Sequence, residues 1–276
     1  MKLTLGHSPD SDDAFMFYGL AAGKIPTEGL EFEHILRDIE TLNQWAREGR
    51  IHCTAISVHA YAYVHDRYAI LSHGASMGDG YGPIVVARTP LTPRELPNLR
   101  IAVPGTMTSA FLALGLYLGR PFQYQVMPFD EIMEGVRQGQ CDAGLLIHEG
   151  QLTHQTEGLH PIVDLGAWWK AATGLPLPLG VNTIRKDLPA GVRARASRVL
   201  RNSIRYSLEH RSEALAHAME FAREMDRDTA DAFVGMYVNE WTLDLGEAGK
   251  EAVRLFLRRG AEAGLIPPVA SVEFVD

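Results

Sequence analysis

Short apolar runs of strand length alternate with helical runs through the first two-thirds of this chain, and this limits the fold more than any other feature. Strands that take turns with helices build mostly parallel sheets, because a parallel crossover needs a helix-sized connection. Leu3 and Leu5 alternate with Lys2 and Thr4 as in a strand. The turn Ser8-Pro9-Asp10-Ser11-Asp12-Asp13 then leads into an apolar helix from about Ala14 to Ala22, ended by Gly23. Leu30, Phe32 and His34 alternate again. Residues 41–48 place Leu42, Trp45 and Ala46 on one helical face, with Gly49 as the stop. A strand through Cys53 to Ser57 runs into a helix from about Val58, and PIVVAR at 83–88 forms a further strand. The pattern restarts at Arg100: strand 100–103, helix 108–118, strand 124–127, helix 130–138 and strand 142–147. An apolar helix around Trp168 and Trp169 and a strand near 179–184 follow. From Pro189 onward the chain reads as wholly helical, in four helices separated near His210, Asp226 and Asp244.

The restart at Arg100 and the helical tail, which needs a sheet to cover, predict two α/β lobes with a ligand cleft between them. The larger lobe is discontinuous, residues 1–90 plus 185–276, and the smaller is 91–184. Two chain crossings would then form a hinge that closes over the cleft. A weak internal echo agrees: Gly49 to His59 resembles Gly139 to His148, each reading as a helix stop, a buried strand and a polar end. The echo would set Ser57–His59 and His148 at matching strand ends, where open α/β sheets bind their ligands.

Composition narrows the partners. With 276 residues the chain is long enough for two modest domains, and its 46% hydrophobic and 22% charged residues are ordinary for a globular protein. A net charge of −8 without any basic block makes nucleic acid a poor partner. It does not exclude a small carboxylate substrate, since local fields decide that. His7, Asp10, Asp12 and Asp13 follow Lys2 too closely for a secretory leader, and no run reaches the roughly 20 apolar residues of a membrane span. A cytoplasmic setting is expected. Cys53 and Cys141, both among apolar neighbours, read as buried thiols.

No HExxH, paired-cysteine or other metal spacing occurs, and no Gly-x-Ser-x-Gly elbow. The Gly74–Gly82 run precedes a strand rather than opening a helix, so it is no dinucleotide fingerprint; it suits tight turning beside a cleft. Neither metal nor cofactor is expected. In His7 to Asp13, Asp12 and Asp13 read as helix caps, while Ser8 and Asp10 come too early for capping and are candidates to face the cleft. Pro104 to Ala110 joins a strand to a helix. Its free N–H groups and the hydroxyls of Thr106, Thr108 and Ser109 suit either an anion site or plain capping. His148 ends the apolar run Ala-Gly-Leu-Leu-Ile, and an imidazole that titrates near neutrality at a strand end is a candidate general base. Glu149, in a strand, would point to the opposite face. Trp168 and Trp169 fit core packing better than ligand stacking.

Taken together, HSPDSDDAFMFYGL at 7–20, AISVHAY at 55–61, MGDGYGP at 77–83, VPGTMTSA at 103–110 and GLLIHEGQ at 144–151 resemble the 1,4-dihydroxy-6-naphthoate synthases of the futalosine route to menaquinone. The resemblance runs in order over nearly the whole chain. It implies a type II periplasmic-binding-protein-like fold used in the cytoplasm. It implies conversion of cyclic dehypoxanthinyl futalosine to 1,4-dihydroxy-6-naphthoate, with a dihydroxyacetone fragment released and no cofactor. It assigns the general base to His148 and substrate contacts to Ser57, Val58, His59, Thr108, Ser109 and Ala110. A chorismate dehydratase of the same pathway, which shares the fold, and a non-catalytic carboxylate-binding protein are the alternatives.

Overall fold

The computed structural model describes residues 1–222 and 226–276. Twelve strands are found among them: β1 (Lys2–His7), β2 (Glu31–Leu36), β3 (Cys53–Ser57), β4 (Tyr68–Leu71), β5 (Ser76–Gly78), β6 (Ile84–Ala87), β7 (Arg100–Val103), β8 (Gln123–Val126), β9 (Ala143–Leu146), β10 (His160–Asp164), β11 (Leu177–Arg185) and β12 (Phe274–Val275). They form two sheets. The first has the order β12-β4-β11-β3-β1-β2, with β5 also on β11; the second has the order β10-β6-β9-β7-β8. In the first, β1 pairs parallel with β2 and β3, while β11 runs antiparallel to β3, β4 and β5. In the second, β7 pairs parallel with β8 and β9, while β6 lies antiparallel between β9 and β10.

Pairing moves both expected lobe limits toward the N-terminus. Strand β6, expected before the boundary at 90, bonds to β9 in the second sheet, and most of β11, expected before 185, lies inside the first. Hydrogen bonding overrides the restart at Arg100, which marks only where βα alternation resumes. The tail is not wholly helical either. Its helices Ala190–Glu209, Arg211–Ala218, Arg227–Tyr237, Glu240–Leu243 and Gly246–Glu262 are followed by β12, which pairs parallel with β4. Two residues are too short for a periodic signal, and neighbouring strands decide their conformation.

Helix Ala190–Glu209 covers the first sheet. Val192, Ala196, Val199, Leu200 and Ile204 recur at helical spacing and pack against Leu3, Leu5, Cys53, Ala69, Leu71 and Ile184. Both β3 and β9 are buried throughout, as central strands covered on two faces require. Helix Ile39–Glu48 starts at Asp38, whose side chain accepts from the Thr41 N–H at 2.9 Å, and stops at Gly49 with φ +69°. Trp169 is fully buried against Phe256, its indole N–H donating to the Pro176 carbonyl at 3.1 Å, so it is a core residue. Both cysteines are buried and unpaired. No helix among the described residues is long and apolar enough to cross a membrane.

The chain crosses between the sheets near 79–83 and near 174–176. At the first crossing the backbone of Tyr81 and Gly82 passes directly over Gly166, where a Cβ would lie 1.8 Å from the Tyr81 carbonyl oxygen. Overpacking typically costs about 1–3 kcal/mol, and here the obstacle is backbone. Gly166→Ala should therefore lower stability by roughly 2 kcal/mol or more, read as a lower urea midpoint at unchanged m-value.

Candidate active site

A cavity of about 120 Å³ lies between the two sheets. Ser8 reaches it from the turn after β1, Ser57 from the end of β3, and Thr108, Ser109 and Ala110 from the loop after β7 and the helix Ser109–Leu118 that follows. His148 reaches it from the turn after β9. Ligand sites at the carboxyl ends of strands are the rule in such folds.

His148 is held by Asp10. Its Nδ1 lies 3.3 Å from Asp10 Oδ2, across the gap between the sheets, and the Ser8 hydroxyl donates to the same carboxylate oxygen. A carboxylate beside Nδ1 favours the tautomer protonated there, which leaves Nε2 with a lone pair. Phe129 packs on the imidazole, with ring centroids 4.5 Å apart. Unlike the expected strand end, residue 148 sits in a turn with φ +58°. A left-handed backbone at a residue other than glycine costs on the order of 1 kcal/mol and persists only when the surroundings impose it. The turn also removes the strand alternation invoked to turn Glu149 away.

The Gln151 amide spans this turn. With its nitrogen toward Gly82 O (2.5 Å) and its oxygen toward His148 N–H (3.2 Å), both ends are satisfied, and Tyr237 OH lies 2.6 Å from the nitrogen and 3.0 Å from the oxygen. Burial pushes the Tyr237 hydroxyl well above the ordinary phenol range.

From the same sheet as His148, in the loop after β7, Thr108 is the N-cap of helix Ser109–Leu118. Its hydroxyl accepts from Phe111 N–H at 3.2 Å and donates to the Gly105 carbonyl at 3.0 Å, so capping already occupies it. The Ser109 hydroxyl likewise donates to Leu179 O at 2.5 Å. What this helix start offers the cavity is backbone, the first-turn N–H groups of Ser109 and Ala110, which no intrahelical carbonyl can reach. Val58 and His59 stand behind the wall rather than in it. Val58 is fully buried, and His59 spends its Nδ1 on Thr108 O (3.1 Å) and its N–H on Ser109 Oγ (3.2 Å). Ser57 is oriented by Asn43, which donates to its hydroxyl at 3.1 Å and accepts from its N–H at 2.8 Å.

Asp12 and Asp13, expected as caps of helix Ser11–Ala21, line the cavity instead. Asp10 occupies the N-cap position, with no side-chain cap bond. Asp13 accepts from Ser8 N–H at 2.6 Å. Burial, followed by mutual repulsion and the Asp10 charge, pushes the Asp12 carboxyl well above the usual carboxylate range, and burial does the same to Asp13. Sequence reasoning also missed Gln151, which sits in the quoted HEGQ segment, and Phe233 and Tyr237. The last two lie four residues apart on helix Arg227–Tyr237 and look like any apolar helix face.

Fold and site define a class before any family. Two sheets with a ligand cavity between them are the periplasmic-binding-protein architecture. At 10% identity and a TM-score of 0.75, the alkanesulfonate-binding protein of Xanthomonas axonopodis pv. citri, bound to MOPS, shares it over 96% of this chain and 94% of its own. A menaquinone-biosynthesis family profile matches residues 3–262. The 1,4-dihydroxy-6-naphthoate synthase of Thermus thermophilus is 43% identical over 273 residues, 99% of each chain. That of Streptomyces coelicolor is 38% identical over 270 residues, 96% of this chain and 95% of its own. A crystal structure of an Archaeoglobus fulgidus protein, 46% identical, superposes with a TM-score of 0.92 over 96% of this chain and 98% of its own. The chain belongs to the 1,4-dihydroxy-6-naphthoate synthase family of menaquinone biosynthesis, and it is an enzyme.

The raised carboxyls carry a stability consequence. A folded-state pKa above the unfolded value means that the native state holds a proton the unfolded chain has released, so stability falls as pH rises from about 4. Asp12→Asn removes that loss. Thermal unfolding should show the variant more stable than the parent at pH 8, with the difference shrinking toward pH 4.

Proposed function

We propose that this enzyme converts cyclic dehypoxanthinyl futalosine into 1,4-dihydroxy-6-naphthoate with release of a dihydroxyacetone fragment, and that His148 is its general base. The Asp10–His148 contact at the cavity wall carries the reading. To reach an aromatic ring, the reaction must remove a carbon-bound proton and break a carbon–carbon bond. Carbon acids are weak, so the base must be positioned and kept from bulk water. Asp10 fixes the imidazole's tautomer and stabilises the imidazolium that forms on proton uptake, as a buried carboxylate does for a catalytic histidine. The substrate carboxylate binds at the N–H groups of Ser109 and Ala110. Charge-assisted bonds of that kind contribute about 1.5–3 kcal/mol each. The two sheets, joined by the crossings near 79–83 and 174–176, act as lobes that close on the substrate. The chemistry calls on side chains alone, and the enzyme works in the cytoplasm.

His148→Ala should lower kcat by about 10²–10⁴-fold while substrate still binds, and His59→Ala should leave kcat within a few-fold of the parent. The reverse pattern, measured by mass spectrometry of the naphthoate product, would assign the base to His59. Ala110→Pro removes one first-turn donor, an N–H with no intrahelical acceptor. It should raise KM about tenfold with kcat little changed; an unchanged KM in a folded variant would place the carboxylate elsewhere. Prolonged treatment with EDTA should leave the rate intact, and a loss reversed by a single divalent metal would refute catalysis by side chains alone. Turnover of the chorismate substrate instead would replace this reading with a dehydratase.

A further inference from the structure

We propose that Gln151 and Tyr237 form a latch that holds His148 in its working backbone conformation only while the two lobes are closed. The inference rests on His148 being the base. His148 and Gln151 follow β9 in the second sheet, whereas Tyr237 ends a helix of the C-terminal tail. The bonds of Gln151 therefore tie together parts of the molecule that closure brings into contact. One end of its amide takes the His148 N–H and the other donates to Gly82 O, in the crossing segment, while the Tyr237 hydroxyl lies within hydrogen-bond reach of both. Tyr81, beside Gly82, reinforces the junction by donating its hydroxyl to Met236 O and setting its ring edge-on to Tyr237, 5.9 Å between centroids.

The left-handed backbone at His148 gives the latch something to hold. A non-glycine residue at φ +58° relaxes toward the ordinary regions when its restraints are removed. Opening the cleft withdraws Tyr237 from Gln151 and frees the amide from one of its anchors. The His148 N–H then loses an oriented acceptor, and the imidazole loses its register with Asp10, which lies on the other lobe. The base is thus assembled by closure, and an open enzyme does not present it to solvent. Gln151 and Tyr237 are positioning residues in this scheme, acting through His148.

The test is steady-state kinetics on Gln151→Ala, Gln151→Glu, Tyr237→Phe and the Gln151→Ala/Tyr237→Phe double variant, with His148→Ala as reference. Tyr237→Phe keeps the ring packing against Tyr81 and Phe233 and removes only the hydroxyl. Each of Gln151→Ala and Tyr237→Phe should lower kcat about tenfold with KM within about threefold. The double variant should be no worse than Gln151→Ala alone, because groups acting as one unit are not additive. Gln151→Glu, which keeps an acceptor for His148 N–H, should recover part of the loss. Losses that multiply in the double variant, a change confined to KM, or a parental kcat in Tyr237→Phe would overturn the latch. If His148→Ala is inactive while the latch variants are normal, the latch alone fails. If His148→Ala keeps its kcat, the assignment of the base fails with it.

Discussion

Asp10 and His148 meet at 3.3 Å from opposite sides of the gap between the sheets, and the rest of the site is arranged around that contact. The carboxylate stands on the turn after β1 and the imidazole on the turn after β9, so neither sheet carries the pair alone. Both side chains are largely shielded from bulk water, so the attraction between them is stronger than at the surface. The Ser8 hydroxyl donates to the same oxygen and so helps to hold the carboxylate in place. Orientation of the base is in this sense a property of how the two halves sit together, which suits a fold whose halves are joined by the crossings near 79–83 and 174–176.

The same arrangement is costly. Asp10, Asp12 and Asp13 crowd the start of one helix, and burial pushes the Asp12 and Asp13 carboxyls well above the usual carboxylate range, with repulsion from Asp13 and Asp10 adding to it at Asp12 and from Asp10 at Asp13. Partial compensation comes from the helix they begin, whose N-terminal dipole favours negative charge, and from the Ser8 N–H held by Asp13. Part of the fold's stability is given up to keep ionisable groups dry beside the imidazole, the usual trade at an active site.

Much of the fold was readable in the sequence. Strand β7 at 100–103 fell where alternation placed it, and the αL stops at Gly49 and Gly139 sit where the internal echo put them. The lobe limits were not readable, because β6 and β11 are antiparallel additions whose sheet is chosen by partners distant in sequence. The site divides the same way. Ser57 and Ser109 lie at a strand end and a helix start, and Ser8 and His148 in the turns just past strands, and local pattern marks those places. Asp12 was mistaken for a cap because an acid before an apolar helix satisfies both readings, and only the neighbouring wall decides between them. Tyr237 carries no local mark at all; its role follows from Gln151, which lies 86 positions away in the chain.

Strand β11 has a consequence for how the molecule comes into being. It lies between β3 and β4 in the first sheet, yet it is made after every strand of the second sheet. On the ribosome, the N-terminal strands emerge with a gap in their middle, and β3 keeps an open edge until residue 185 has left the tunnel. The second sheet, contiguous from β6 to β10, can close first and by mostly shorter-range pairings. The sheet whose strands are begun first is therefore the one completed last, after β11 has joined β3 and β4 and β12 at 274–275 has docked on β4.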